Sequence, residues 1–477
     1  MSLRGRRDLA GQIYQQVRSV IVDGQLRPGQ ALPPSRELAD RLAVSRTTVS
    51  AAYDRLSAEG YVAGRVGAGT FVAPALPVDP PVPRADGHRP SSGPLRPRPE
   101  FAGLQVRADL SAVRPAYDLR PGMPDARLFP YQTWRRLMSD QLRTTAVGPG
   151  AYGAPAGLPE LRGALARHVG VSRAVRASAD DVLVTNGFQQ AVDLVARVAV
   201  RPGDVVAVED PGYAPPAMLF RSLGARVAGV PVDAEGLVVD ALPAAARLVL
   251  VTPSHQFPLG VRMSEARRGQ LLDWARQHNA VVVEDDYDSE FRFAGRPLDT
   301  LRGMDRDDRV VYVSSLSKVM LPMLRLGFCV APRSLREALE AAKFTTDWHT
   351  ALPTQAALAR FVSNGTLDRH IRRMRGVYAE RHRLVSEALD GRLAPWLRPV
   401  HSPAGLHVTA LLRSGSVPHE RAVVRRARAL GVAVPGLSES AVRAPRAGLV
   451  LGLGMTPVER LPAALDRLCS ALAESRP

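Results

Sequence analysis

A chain of 477 residues with 45% hydrophobic content and only two cysteines is too apolar for a disordered tail, too poor in cysteine for a disulfide-stapled secreted module, and without the composition of a collagen-like fibre. Its length suggests about three domains, and its net charge of +17 suggests a polyanionic partner without saying where that partner binds. Residues 1–75 hold ten arginines against six acids, a net +4, so most of the excess charge lies elsewhere.

Of the 63 basic residues only Lys318 and Lys343 are lysine. Most surface positions accept either cation, so the bias toward arginine makes each surviving lysine a candidate for chemistry that an always-protonated guanidinium cannot do. Cys329 and Cys469 lie far apart, show no metal-ligand spacing, and are expected as small buried residues in a reducing cytoplasm. Arg4, Arg6 and Arg7 lead into a polar-interrupted helical pattern unlike a signal peptide, and no run reaches transmembrane length free of charge. A soluble, cytoplasmic protein with no bound metal and no membrane partner is expected.

Along the chain, Leu9, Ile13, Val17, Val20 and Ile21 form a helical stripe over residues 8–22 that Gly24 ends. Pro33 and Pro34 precede Ser35, an expected N-cap for a short helix over Glu37 to Leu42. Ser45 is expected to cap a second helix through Leu56, with Val49, Tyr53 and Leu56 facing inward. Two short helices joined by a tight turn predict a helix-turn-helix that offers Arg46, Thr47 and Thr48 to base edges. Arginine suits guanine or phosphate, and threonine adds a hydroxyl and a methyl. After Gly60, residues 61–72 alternate around Gly64, Gly67 and Gly69, a two-stranded wing carrying Arg65. The runs LPPSRELA (Leu32 to Ala39), SRTTV (Ser45 to Val49) and GAGTFV (Gly67 to Val72) together resemble the winged helix-turn-helix of the GntR family. The resemblance implies that double-stranded operator DNA is met by Arg36, Ser45, Arg46, Thr47 and Thr48, and by Arg65 from the wing. The plainer alternative is a three-helix interaction module whose arginines are merely solvated.

Residues 76–114 are rich in Pro, Arg, Ser and Gly and read as a linker between a DNA-binding head, residues 1–75, and a body, residues 115–477. In the body, apolar runs at Val182 to Thr185, Val205 to Glu209, Val227 to Val230, Leu248 to Thr252, Val281 to Asp285, Val310 to Ser314 and Leu326 to Val330 alternate with helical patterns. That order predicts an α/β fold with a mainly parallel sheet covered on both faces. From about residue 355 a smaller α+β lobe is expected.

Lys318 follows the strand run Val310 to Val313, at the end of a parallel strand where open α/β sheets place ligand chemistry. Its amine can lose a proton and form a Schiff base, whereas Lys343, in a helical stretch without comparable surroundings, reads as a surface lysine. Another strand run leads into Glu284-Asp285-Asp286-Tyr287-Asp288, where a carboxylate can hold a proton on a pyridine nitrogen and a phenol can bond a ring oxygen. Taken alone, such an acid cluster is more often a solvated loop or a set of metal ligands. Thr185 to Gln190 joins a strand to a helix, and its amides, approached closely at Gly187, suit a phosphate. Ser315 and Arg325 add donors.

The runs YGAPAG (Tyr152 to Gly157), EDPGY (Glu209 to Tyr213), TPSHQFPLG (Thr252 to Gly260), Glu284 to Phe293 and Ser315 to Lys318 make the body resemble class I, fold-type I aminotransferases. With the head attached, the whole chain resembles the MocR (GabR-like) subfamily of GntR regulators. The resemblance implies that Lys318 forms the internal aldimine with pyridoxal 5′-phosphate, Asp285 pairs with its pyridine nitrogen, Tyr287 bonds its phenolic oxygen, and Tyr213 stacks on its ring. It places Gly187, Phe188, Gln189, Ser315 and Arg325 around the phosphate, with Tyr152 reaching it from a partner subunit in a head-to-tail homodimer.

Two positions depart from the aminotransferase pattern. Phe257 stands where the Asn-Pro-x-Gly asparagine would touch the cofactor, with His255 as a substitute or a purely structural histidine. Val450 aligns with the arginine that binds a substrate carboxylate, leaving Arg443 or Arg446 as replacements or no clamp at all. The expected function is a transcriptional regulator that senses pyridoxal phosphate, an amine effector or both, in control of vitamin B6 or amino-acid metabolism. The competing readings are a working aminotransferase with an appended head, and a DNA-binding protein with an empty scaffold.

Overall fold

The computed structural model describes residues 3, 8–65, 68–74, 96, 98–101, 115–143, 150–293, 299–402 and 404–475. Most of the proline-rich linker, and Gly67 of the wing, lie outside them. The chain forms two compact units, residues 1–96 and 97–477.

In the first unit, α1 (Leu9–Val22) opens on Asp8, whose carboxylate accepts the Gly11 N–H at 3.1 Å, and buries Ile13, Val17 and Ile21. Helix α2 (Ser35–Leu42) begins at Ser35 itself, because the Pro34 carbonyl already accepts the Leu38 N–H at 3.0 Å. Ser35 is therefore the first helical residue, and the expected cap is corrected to Pro34. Helix α3 (Arg46–Ala58) does start from a capping serine, Ser45 Oγ accepting the Thr48 N–H at 3.1 Å. The wing pairs β1 (Val62–Arg65) with β2 (Gly69–Val72) antiparallel. Val49, Leu56 and Val72 close the core against α1.

The second unit is built on an eight-stranded sheet. A short β3 (Tyr117–Asp118), α4 (Tyr131–Gln141) and α5 (Pro159–Arg173) precede β4 (Val182–Thr185), which α6 (Phe188–Ala199) follows. Then come β5 (Val205–Asp210), α7 (Ala214–Ser222), β6 (Arg226–Asp233), β7 (Gly236–Leu237), β8 (Ala246–Val251), α8 (Glu265–Gln277), β9 (Val281–Asp286), α9 (Leu301–Met304), β10 (Val310–Ser315) and β11 (Gly327–Val330). The sheet order is β4-β11-β10-β9-β8-β5-β6-β7, parallel from β10 through β6, with β11 antiparallel to both neighbours. Helices cover both faces, so the central strands are built on apolar runs, with polar residues at the carboxyl ends of β9 and β10. Alternate residues of β9 serve opposite faces: Val283 packs with α6, and Val282 with α8. The same alternation sends successive acids at the strand's end to different surroundings.

Next follow α10 (Arg336–Asp347), α11 (Leu352–Ser363) and the 25-residue α12 (Thr366–Asp390). The expected lobe from residue 355 begins later. Helix α11 and the first half of α12 bury Leu358, Phe361, Ile371 and Tyr378 in the core of the large sheet, while Val385 and Leu389 enter a second core. That core also holds β12 (Leu397–Pro399), β13 (His407–Leu412), α13 (Val417–Ala429), β14 (Val432–Ala433), β15 (Gly448–Gly452) and α14 (Leu461–Glu474). It recruits Leu119 from the start of the unit, where β3 pairs with β14.

Cys329 is buried in β11, whereas Cys469 is only half-buried, correcting the expectation that both are core residues. Among the described residues no helix is long and apolar enough to cross a membrane.

Candidate functional site

The carboxyl ends of the parallel strands bring the predicted body residues to one edge of the sheet. Lys318 follows β10, Asp285 and Tyr287 end β9, Gly187 follows β4, Tyr213 follows β5, and His255 and Phe257 follow β8. Arg325 reaches the same edge because β11 runs antiparallel and starts there.

Lys318 Nζ donates to the Gly122 carbonyl at 2.7 Å. Gly122 has φ +82°, and a Cβ there would lie 2.9 Å from Nζ, so this close approach requires glycine. Burial lowers the lysine pKa and Arg325 adds to that, against Asp288 and Asp285, which raise it. Asp285 is buried, and its Oδ1 has no hydrogen-bond partner among the described residues. Burial and then Asp286 push its carboxyl well above the usual range, with Lys318 opposing.

The remaining acids of the run face elsewhere. Glu284 accepts the backbone N–H groups of Leu301 and Arg302, both at 2.9 Å, and burial pushes its carboxyl up to about 7. Asp286 is clamped by Arg173 at 2.6 and 3.0 Å and receives the Tyr312 hydroxyl at 2.7 Å. Asp288 takes His255 Nδ1 at 3.0 Å and the Leu406 N–H at 3.0 Å. Burial pushes Asp288 up, but His255 outweighs it and holds the carboxyl below its ordinary value. The Tyr287 hydroxyl lies 3.0 Å from the same His255 nitrogen. Since that N–H is engaged by the Asp288 carboxylate, the phenol keeps its own proton to donate. His407, brought beside His255 and Asp288, bonds the Pro258 carbonyl through Nε2 at 2.9 Å, and burial pushes its pKa down to about 3, leaving it neutral.

Gly187, at φ +84°, opens α6. A Cβ on it would lie 3.0 Å from an Arg325 guanidinium nitrogen, and that guanidinium donates to the Asn186 carbonyl at 2.9 Å. Ser315 Oγ and Ser317 Oγ are 3.0 Å apart. Phe188 and Gln189 start α6, the Phe188 ring tilting against Tyr213 at 6.1 Å. Tyr213 meets Phe257 edge-on at 5.8 Å, and Phe257 meets Tyr287 at 6.3 Å. Tyr152 stands apart from this set, 75% exposed and stacked on Trp348 at 4.3 Å.

Lys343 corrects the surface reading, because its ammonium is fully buried beneath the Asn186 loop. It donates to Asp347 at 2.7 and 2.8 Å and to Gln190 Oε1 at 2.9 Å, while Asp347 also receives the side-chain amides of Asn186 at 2.6 Å and Gln190 at 2.7 Å. Val450 is buried in an apolar cluster with Val232, Leu259, Leu411 and Leu437. Arg443 and Arg446 are exposed. Sequence reasoning missed Gly122, Arg173, Asp288 and Asp347; of these only Asp288 carried a signal, inside the acid run.

In the head, Arg36, Ser45, Arg46 and Thr47 are exposed and Thr48 half-exposed at the start of α3 or on α2. Arg65 is exposed on the wing, its guanidinium 4.8 Å over the Phe71 ring.

Comparison with known proteins matches residues 9–72 to "Bacterial regulatory proteins, gntR family" and residues 125–440 to "Aminotransferase class I and II". The fold and its two halves define a DNA-binding head fused to an aminotransferase-type body. The probable rhizopine catabolism regulatory protein MocR of Rhizobium meliloti is 37% identical over 443 residues, covering 92% of this chain and 89% of the relative. The pyridoxine biosynthesis regulator PdxR of Corynebacterium glutamicum is 32% identical over 84% of this chain and 82% of its own. Among solved structures, the kynurenine aminotransferase of Pyrococcus horikoshii, in complex with PMP, is 27% identical, with a TM-score of 0.70 over 76% of this chain and 92% of that one. The chain belongs to the MocR-like group of GntR-family transcriptional regulators, with an aminotransferase class I and II body.

Proposed function

We propose that the head binds operator DNA and that the body senses pyridoxal 5′-phosphate, alone or with an amine. The observation that carries this reading is a cofactor-ready edge without a carboxylate clamp. Lys318, Asp285 and Tyr287 converge beside the Gly187 loop, while Val450 sits in an apolar cluster.

The residues fit the cofactor. The partnerless Oδ1 of Asp285 suits a pyridine N–H, and the space that a Cβ on Gly187 would fill lies beside Arg325, as a phosphate requires. When bound, pyridoxal phosphate supplies an aldehyde that reacts reversibly with primary amines and a ring that withdraws electrons. Lys318 supplies the amine, poised by its lowered pKa and held by Gly122. Asp285 keeps a proton on the ring nitrogen. Tyr287, its hydroxyl free to donate because Asp288 engages His255, bonds the ring oxygen. Phe188, Gln189, Ser315 and Arg325 surround the phosphate, and Tyr213 covers the ring.

The exposed aromatic group of Tyr152, Phe344 and Trp348 supports a homodimer in which Tyr152 serves the partner's site. In the head, Arg36, Ser45, Arg46, Thr47, Thr48 and Arg65 meet the duplex. With no arginine at position 450, an α-amino acid has no bidentate carboxylate partner there, which favours pyridoxal phosphate itself as effector in a vitamin B6 circuit. An active aminotransferase is the second reading, favoured by the intact Lys318, Asp285 and Tyr287. Footprinting of DNA flanking the gene, with and without pyridoxal phosphate and candidate amines, tests the proposal. A footprint that responds to neither ligand refutes sensing, and multiple-turnover amino transfer moves the enzyme reading first.

A further inference from the structure

A cavity of about 920 Å³ lies between α5, the turn after β9 and helices α11 and α12. Its lining carries Arg167, Arg173, Arg292, Arg372 and Arg375 against two acids, Glu290 and Asp368. Arg173 is neutralised by Asp286, and Asp368 lies 3.6 Å from His168. Arg167, Arg372 and Arg375 form no ion pair with a carboxylate among the described residues, and Arg375 spends its Nε on the Glu290 backbone carbonyl at 2.9 Å. Ser289 gives an independent sign of a ligand: it lines the cavity, is 8% exposed, and its Oγ has no hydrogen-bond partner. A buried hydroxyl left unpaired costs about 1–3 kcal/mol unless something in the cavity accepts or donates to it. Ala164, Val171, Val362, Ile371 and Phe293 give the wall an apolar part, beside the hydroxyls of Ser172 and Ser363.

We infer that this cavity binds a small phosphorylated molecule with an apolar body, its phosphate held by Arg372, Arg375 and Ser289. The cavity's size is that of small-molecule sites, and Ser289 is too deeply buried for a duplex backbone to reach. Glu290, the one acid on the wall facing no cation at ion-pair distance, is pushed up to about 7 by burial and then Asp286, so near neutrality it can hold a proton instead of repelling the anion. The site stands independently of the cofactor reading. The two are nevertheless adjacent in the chain, since Asp285 and Tyr287 at the cofactor edge are followed closely by Ser289 and Glu290 on this wall.

The test uses the full chain loaded with pyridoxal phosphate and then dialysed free of excess, so that the Gly187 loop is filled and this cavity is not, and titrates phenyl phosphate, inorganic phosphate and phenol by calorimetry. Phenyl phosphate is expected to bind more tightly than inorganic phosphate, with phenol failing to bind. The double variant Arg372→Gln, Arg375→Gln should weaken phenyl phosphate by tenfold or more (charged hydrogen bonds contribute about 1.5–3 kcal/mol each), and Ser289→Ala by about three- to tenfold. Arg369→Gln, outside the lining, should leave it unchanged. No heat with phenyl phosphate at millimolar concentration, or equal binding to the double variant, overturns the site. If the chain holds no cofactor, the difference in phenyl phosphate binding between the parent and the Arg372→Gln, Arg375→Gln variant still reads this cavity, so the two proposals fail separately.

Discussion

Replacing Lys343 by methionine keeps an unbranched side chain, one heavy atom shorter, and removes its charge and three hydrogen-bond donors. The ammonium is fully buried and serves Asp347, Gln190 and, at 3.4 Å, Thr350. Breaking a buried pair on one side costs about 3–5 kcal/mol, because the partner is left uncompensated. Here the Asp347 side chain is 28% exposed, so water recovers part of that. Burial also lowers the lysine's own pKa, so some of the lost interaction had been offsetting a desolvation cost. A net loss of about 2–3 kcal/mol is expected, which at ~2 cal/mol/K of unfolding entropy per residue lowers Tm by roughly 3–4 °C in a unit of this size. Because Asp347 also anchors Asn186 and Gln190, pyridoxal phosphate affinity should fall about tenfold in the same variant, a loss of ~1.4 kcal/mol. Calorimetric melting of the apo protein and cofactor titration read the two effects. A variant within about 0.5 kcal/mol of the parent, the usual range for surface substitutions, and with unchanged cofactor affinity refutes the argument that this lysine supports the loop.

Lys318→Ala should abolish covalent capture of pyridoxal phosphate, checked by borohydride trapping and intact mass; capture surviving the substitution would remove the proposed linkage. The neutral amine is the reactive form, and burial lowers the Lys318 pKa, so capture should reach its midpoint below the ordinary lysine value of about 10.4. Asp288 raises that pKa, hence Asp288→Asn should move the midpoint of the pH–rate profile further down, and an upward shift contradicts the assignment. Gly187→Ala places a Cβ 3.0 Å from Arg325 at φ +84°, with a backbone cost of roughly 1–2 kcal/mol; cofactor affinity should drop about tenfold by equilibrium dialysis. Arg46→Ala should weaken operator binding about tenfold and flatten its log–log salt dependence by about one, measured by fluorescence anisotropy, while cofactor capture stays intact.

What the sequence made legible followed the strength of local signals. The strand runs are rich in valine and leucine because both faces of the sheet are covered, and all emerge within a residue or two of their expected bounds except the run at Val227 to Val230, whose strand continues to Asp233. Lys318 stood out by scarcity and position, and the acid run by its place after a strand. The roles within that run were hidden, since Glu284 to Asp288 alternate between a helix start, an unpartnered edge, Arg173 and His255, a sorting that only the sheet's neighbours impose. Lys343 carried the same scarcity signal as Lys318 but no strand before it, and one of its acceptors, Gln190, comes from an element 153 residues earlier in the chain. The small lobe's onset was equally illegible, because the single helix α12 serves two cores in succession, with buried Arg381 standing on its stripe between Tyr378 of the first core and Val385 of the second.

Sensing requires more than occupancy, because a ligand shifts an equilibrium only by its difference in affinity for two states. The described residues supply one contact through which such a difference can arise. Asp288 engages His255, and through it neighbours Tyr287, while accepting the Leu406 N–H; one turn further on, the Phe291 carbonyl accepts the Gly405 N–H at 2.7 Å. Residues 405 and 406 lead directly into β13, the central strand of the small lobe's sheet. A group drawing on the Tyr287 proton would therefore act through three contacts, Tyr287 to His255, His255 to Asp288 and Asp288 to Leu406, on the backbone that leads into this lobe's sheet. Gly405 has no room for substitution, since a Cβ would fall within 1.9 Å of the His255 ring. The imidazole thus fills the space between the Asp288 carboxylate and the Gly405 backbone, which gives His255 a positional role.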